Sequence, residues 1–254
     1  MQYVVFDDMN LCTAAEVARM LPMASEQRRA QALRYSHVFG QFCCLKSYEM
    51  LLTLLKEWSK EQKTQERSGG YILREMGREQ TSQEWSGGYI LREMGREQTS
   101  QEWSGEYISQ ERGGGHIDAS GGEFVYNEYG KPFLAGGPYF SISHCRHAIA
   151  VAIDSQPIGI DVESVRPLRQ ELVAKTMNSS EQALIAASEH PNRTFTALWT
   201  QKEALLKMRG TGIISDLRSV LQNTEGASLQ TIDNLHKDYV LTICLRALRD
   251  TPLF

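Results

Sequence analysis

PIGIDVE, residues 157 to 163, decides how the second half of this chain folds. It follows the turn DSQP and reads as a strand, with Ile158, Ile160 and Val162 at alternate positions. Successive side chains of a strand point to opposite faces, so these three share one face while Asp161 and Glu163 share the other. The two carboxylates then point the same way, roughly 6.5 to 7 Å apart along the chain. Taken alone, such a D-x-E pair is first of all a solvated strand face.

A second stretch changes its weight. WTQKEALLK, residues 199 to 207, is helical, and Glu203 and Lys207 stand four apart, the spacing of an ordinary surface ion pair. At about 100° per residue, however, Phe195, Leu198, Trp199, Leu205 and Leu206 fall in one arc with Lys202 in its middle. A lysine there must snorkel, pair, or meet an anionic ligand, because an unpaired buried ammonium is costly. Glu203 lies at the edge of the same arc and Lys207 one step further out. The pair therefore borders the core face.

Around these two stretches the chain reads as mixed α+β without regular βαβ alternation. Residues 24 to 58 predict an amphipathic helical pair, ASEQRRAQALRYSHVF and then GQFCCLKSYEMLLTLLKEW. EFVYNEYGKPFL predicts short strands about a Y-G-K-P turn, and PYFSISH and HAIAVAID two further strands. SSEQALIAASE predicts a helix capped at its opening serine, followed by a helix from about Arg193 to Met208, the loop RGTGI, and a strand in DYVLTICLRAL. Between the halves SGGYILREMGREQTSQEW, residues 68 to 85, is repeated without a difference at 86 to 103. Two copies fall short of a stacked solenoid. They predict an insertion, at about 61 to 120, that adds nothing to the core; a protruding arm that touches a partner is the other reading.

Composition narrows the classes. The 254 residues are 41% hydrophobic and 23% charged, with a net charge of −4. The pI of about 5.9 leaves no footprint for nucleic acid, although a local basic pocket for a small anion stays open. An acidic start, MQYVVFDDMN, and the lack of 18 consecutive apolar residues support neither a signal peptide nor a membrane span, so the expectation is a cytoplasmic protein. Cys12, Cys43, Cys44, Cys145 and Cys244 are odd in number and scattered, the pattern of reduced thiols used in packing.

A helical carboxylate brought beside two on a strand makes an all-oxygen site without His or Cys. Such a donor set suits Mg²⁺, which keeps waters and takes other ligands from substrate phosphates. The chemistry implied is at a phosphate. SISH offers a hydroxyl and an imidazole and YGKP offers Lys131, all able to hold an anion; singly, His144 reads as a structural histidine and Lys131 as a turn residue.

YGKP at 129 to 132, FSISH at 140 to 144, GIDVE at 159 to 163 and WTQKEALLKMRGTGI at 199 to 213 stand in the order and spacing of the 4′-phosphopantetheinyl transferases. The chain resembles the large, two-halved type that activates surfactin synthetase, weakly over 20 to 58 and well over 123 to 254. That resemblance implies a pseudo-twofold pair of similar subdomains, 1 to 157 with the insertion and 158 to 254, with coenzyme A between them. It also implies Asp161, Glu163 and Glu203 as Mg²⁺ ligands, with Asp161 and Glu203 counted as catalytic and Glu203 drawing the proton from a carrier-protein serine. Lys207 is implied as a catalytic phosphate contact that helps 3′,5′-ADP leave. Ser143 and His144 would touch the nucleotide and its 3′-phosphate, Lys131 would lie near the adenine, and Lys46 and Lys202 are counted with the coenzyme A contacts.

Where the family often has S-H-S this chain has Ser143, His144 and Cys145, and for the family's basic residues at a helix start the candidates are Arg34, His37 and Lys46. The expectation is therefore an Mg²⁺-dependent transferase acting on an acyl or peptidyl carrier protein, a monomer with no nucleic-acid or membrane partner. The alternatives are a catalytically weak relative that binds coenzyme A or a carrier protein, and a Mg²⁺-dependent phosphohydrolase or nuclease. Three mutually repelling carboxylates favour the enzyme, since a pure binder has no need of them.

Overall fold

A computed structural model describes residues 1–67, 84–85, 89–93, 124–212 and 216–247, with backbone alone at 63–67, 84–85 and 89–93. The chain opens with strand β1 (Gln2–Phe6) and continues into α1 (Ala14–Met20), α2 (Glu26–Ala32) and α3 (Val38–Arg67). Thr13 and Ser25 cap the first two helices by accepting from the amides of Glu16 and Arg28. The predicted pair over 24 to 58 is present, but it divides before Val38. Gly40 lies inside α3 because a Cβ there would sit 2.5 Å from Tyr35 Cδ1, so its smallness serves packing. The Gly40 amide donates to His37 Nδ1 at 2.9 Å, which satisfies a free donor at the helix start.

Segment Val38–Gln62 of α3 is long and apolar enough to cross a membrane by composition, but most of it is buried inside the protein. Phe42, Leu45, Leu51 and Leu54 are fully packed in a cluster with Val4, Phe6, Ile149, Val151 and Ile153. α3 is therefore the core helix of the first layer.

Strands β2 (Glu84–Trp85) and β3 (Tyr89–Glu93) follow, then β4 (Phe124–Tyr126), β5 (Pro132–Leu134), β6 (Tyr139–His144) and β7 (Ile149–Asp154). An antiparallel sheet runs β2-β3-β1-β7-β6, while β4 and β5 pair as a separate hairpin. α3 runs on to Arg67, and Tyr89–Glu93 from the second repeat copy pairs along the whole of β1, so the repeat supplies a strand. Residues 68–83, 86–88 and 94–123 lie outside the described residues.

The second half contains β8 (Ile158–Ser164), α4 (Gln170–Thr176), α5 (Ser179–Ala187), α6 (Pro191–Arg209), β9 (Ala227–Asn234) and β10 (Tyr239–Arg246). Its antiparallel sheet runs β8-β10-β9. α5 is capped by Asn178, not by the serine read from the sequence: Asn178 and Glu181 bond reciprocally to each other's amides.

Alternation along β7 joins the halves. Ile149, Val151 and Ile153 face the first helical layer, whereas Ala150 and Ala152 pack with Ile158, Ile160, Val162, Leu241 and Ile243 of the second sheet. Small side chains on one side let the two sheets approach closely. α6 covers the outer face of the second sheet, where Ala204, Leu205 and Met208 cluster with Cys244. The layers are thus helix, sheet, sheet, helix. All five cysteines are free and four are buried; burial lifts the Cys43 and Cys244 thiols to about 12, so both stay protonated packing groups.

Candidate active site

One glycine sets the distance between β8 and α6. A Cβ at Gly159 would lie 1.9 Å from the carbonyl oxygen of Ala204 and 2.5 Å from the amide nitrogen of Met208. Only a residue without a side chain lets the strand meet the helix backbone there. That contact brings Asp161, two residues on, to the face of α6 bearing Glu203 and Lys207.

Asp161 is 3% exposed and is held from two sides. Ser143 Oγ donates to its Oδ1 at 2.8 Å, and Lys207 Nζ donates to the same oxygen at 2.7 Å. Its other oxygen, Oδ2, is buried with no hydrogen-bond partner, and so is Glu203 Oε1. Ser141, two residues before Ser143 on the same face of β6, accepts from the Ile160 amide at 3.0 Å. The SIS motif is therefore a pair of hydroxyls that tie β6 to the edge of β8.

Electrostatics confirm that the carboxylates sense one another. Burial and the charge of Asp161 push Glu163 up to about 7, with Glu203 adding to the rise and Arg166 and Lys207 opposing it. Burial and Asp161 likewise hold Glu203 above the usual carboxylate range, against Lys207. His144, at the end of β6, is held below the usual imidazole range by burial and by Lys207, while Asp161 pulls the other way. Its ring meets that of Phe39 edge-on at 6.1 Å, which places the start of α3 against this end of β6.

A cleft of about 260 Å³ opens beside Glu203, which lines it with Lys131, Pro132, Phe140, Ser141 and Lys207 among others. Lys131 is partly committed. Its Nζ donates to the carbonyl oxygens of Lys207 at 2.5 Å and Ile158 at 3.3 Å, which hold its proton. Burial and the charge of Lys207 act the other way, lowering Lys131 to about 8.

Two residues counted with the coenzyme A contacts, Lys202 and Lys46, are engaged within the protein. Lys202 is 1% exposed; its Nζ donates to Glu181 Oε2 at 2.8 Å and to the Leu217 carbonyl at 2.9 Å. Of the three fates open to a lysine on that arc it takes the paired one, because Glu181 at the start of α5 is within reach. Lys46 bonds Glu49 at 2.6 Å and stands 4.7 Å over the Phe6 ring, inside the α3 layer. The Glu203 and Lys207 ion pair implied by spacing also gives way, since Lys207 turns to Asp161.

The donor set fits Mg²⁺ in kind: oxygens only, with one buried oxygen of Asp161 and one of Glu203 left without a partner and Glu203 itself lining the cleft. Among the described residues, no three acidic, histidine or cysteine side chains stand ready-gathered for one ion. Mg²⁺ takes one or two protein carboxylates plus waters and substrate phosphates, so Asp161 and Glu203 suffice as a starting pair, with Glu163 next to them. Sequence reasoning missed Asn127, Ser141, Gly159 and Glu181. A glycine within an otherwise apolar strand was the one available signal, because it marks a close backbone approach.

Residues 157–249 match the 4'-phosphopantetheinyl transferase superfamily. The chain is 36% identical over 107 residues to 4'-phosphopantetheinyl transferase Sfp of Bacillus subtilis, covering 41% of this chain and 48% of that protein. It is 40% identical over 96 residues to 4'-phosphopantetheinyl transferase AcpT of Salmonella typhi, covering 35% and 50%. A third relative, 4'-phosphopantetheinyl transferase HetI of a Nostoc species, is 33% identical over 132 residues, covering 46% and 56%. The match spans about half the length of these relatives.

Proposed function

We propose that the chain transfers 4′-phosphopantetheine from coenzyme A to a serine of an apo acyl or peptidyl carrier protein, releasing 3′,5′-ADP. The observation that carries this reading is the buried Asp161 carboxylate, clamped through one oxygen by Lys207 and Ser143, with its other oxygen and one oxygen of Glu203 buried without a partner and its charge near enough to raise Glu203. Asp161, Glu203 and Glu163 would hold Mg²⁺, which when bound supplies charge neutralisation at the pyrophosphate. Glu203, held above the usual carboxylate range, is a base matched to taking the proton of the carrier serine. The serine oxygen then bonds to the phosphorus bearing pantetheine, the bond from that phosphorus to the 3′,5′-ADP oxygen breaks, and the proton stays on Glu203. Lys207 stabilises the charge growing on the leaving diphosphate. Ser143 serves by orienting Asp161, while His144 and Lys131 border the space for the nucleotide.

The same reading takes residues 1–157, interrupted at about 61–120, and 158–254 as two subdomains related by a pseudo-twofold axis. Its support is that each sheet carries a long helix on its outer face, α3 on one and α6 on the other. The chain would act as a cytoplasmic monomer on carrier proteins; the acidic pI of about 5.9 speaks against a nucleic-acid substrate.

Incubation with coenzyme A, Mg²⁺ and an apo carrier protein should add a phosphopantetheine to the carrier by intact mass, and Asp161→Ala should abolish it. No addition across acyl and peptidyl carriers, with coenzyme A still bound, would leave the binding module as the better account. Normal turnover by Asp161→Ala would remove the metal assignment.

A further inference from the structure

Among the described residues, the β4–β5 hairpin forms no ladder with either main sheet. It nonetheless reaches the end of the helix that carries Glu203 and Lys207. Three of its bonds are made by one side chain. Asn127 Oδ1 accepts from the amides of Tyr129 at 3.0 Å and Lys131 at 2.8 Å, which folds the Y-G-K-P turn, and Asn127 Nδ2 donates to the Gly210 carbonyl at 2.9 Å. The last carbonyls of a helix have no partner within it. Here the Leu206 carbonyl accepts from the Gly210 amide, the Lys207 carbonyl from Lys131 Nζ, and the Gly210 carbonyl from Asn127. Gly210, at φ 74°, leaves room for this: a Cβ would meet Asn127 Nδ2 at 3.3 Å and Lys131 Cδ at 3.4 Å.

We infer that Asn127 is a positioning residue for the transfer reaction, fastening the hairpin to the C-terminal cap of α6 so that Lys207 and Glu203 are held against Asp161. The inference rests on the proposed transferase reading. Asn127 touches none of the reacting groups; it acts through Gly210 and the last turn of α6, one turn from Lys207 Nζ and two from Glu203. A helix end released from its cap frays, and small displacements of catalytic groups cost disproportionately in rate.

The two jobs of Asn127 can be separated. Asn127→Asp keeps the oxygen that accepts from Tyr129 and Lys131, so the turn persists, but replaces the donor to Gly210 with a carboxylate oxygen facing a carbonyl. Steady-state transfer from coenzyme A should show kcat lowered about tenfold to a hundredfold with the coenzyme A KM within about twofold. Amide hydrogen exchange on the free protein should quicken at residues 206–210 and stay unchanged in α3, and Asn127→Ala, which loses the turn as well, should fall at least as far in kcat. Unchanged exchange at 206–210, or wild-type kcat in Asn127→Asp, overturns the inference, as does a loss confined to KM. Failure of the wild-type protein to transfer phosphopantetheine would instead sink the transferase reading, and with it the catalytic half of this one. The exchange measurement then still decides whether Asn127 holds the helix end.

Discussion

Glu163 shows at the scale of a single residue how the site stores unfavourable charge. Its folded pKa, pushed up to about 7 by burial and by Asp161, lies above the 4.5 of an unperturbed glutamate. Below pH 4.5 the group is protonated whether the chain is folded or not, so it costs nothing. As pH rises the unfolded chain ionises first, and stability from this group is lost until about pH 7, above which the folded protein carries a full penalty. Glu163→Gln, without divalent cations, should therefore unfold at the same temperature as the parent near pH 4.5. Above pH 7 it should be the more stable by about 1 to 3 kcal/mol. Thermal melts across that range check it, and parallel curves would show that Glu163 is not charge-stressed. Added Mg²⁺ should narrow the gap by stabilising only the parent. That Asp161 and Glu163 share a face was legible from strand alternation, because the period of two needs no tertiary knowledge. The partner of Lys202 was not: Glu181 is 21 residues away on another helix, and nothing in WTQKEALLK specifies which carboxylate will meet it.

At the scale of elements the decisive contact is β8 against α6, and it depends on Gly159. The elements themselves were readable: α6 runs Pro191–Arg209 against an expected 193 to 208, and β6, β7, β8 and β10 lie where apolar alternation put them. Their closeness was not, since apolar spacing says which face is buried but not how near the backbones come. Gly159→Ala places a methyl carbon 1.9 Å from the Ala204 carbonyl, a backbone atom that cannot rotate away. The helix must shift outward, at about 1 to 3 kcal/mol for overpacking of this kind. Because Ala204 adjoins Glu203, the shift also moves Glu203 away from Asp161. Gly159→Ala should lower the melting temperature and reduce kcat for transfer by more than tenfold in protein that is still folded, the size expected when catalytic groups are misplaced. A variant that melts early yet turns over normally would mean that α6 can slide without disturbing the carboxylates.

At the scale of the whole molecule, the four layers of described residues close on apolar clusters of their own. Among the described residues, the four apolar clusters draw on helices and strands outside residues 68 to 103, and β3 adds a backbone ladder to the outer edge of β1. That edge would otherwise present unpaired amides and carbonyls, a template for association between chains. The layering was hidden in the sequence, since Ala150 and Ala152 look like modest alternation until the facing sheet is seen to need small residues. The exact repeat, by contrast, allows a clean test. YILRE stands at 71 to 75 and again, identically, at 89 to 93, so deleting either 18-residue copy yields the same shorter chain. One YILRE remains to pair with β1, and no described cluster loses a member. The single-copy chain should unfold cooperatively within about 4 °C of the parent, the shift that about 1 kcal/mol brings at this length, and should retain transfer activity. Calorimetry and the carrier-modification assay together check this. Loss of a cooperative transition would show that both copies are needed to complete the first sheet. A folded but inactive single-copy chain would instead assign the repeat a part in bringing the carrier protein to the cleft.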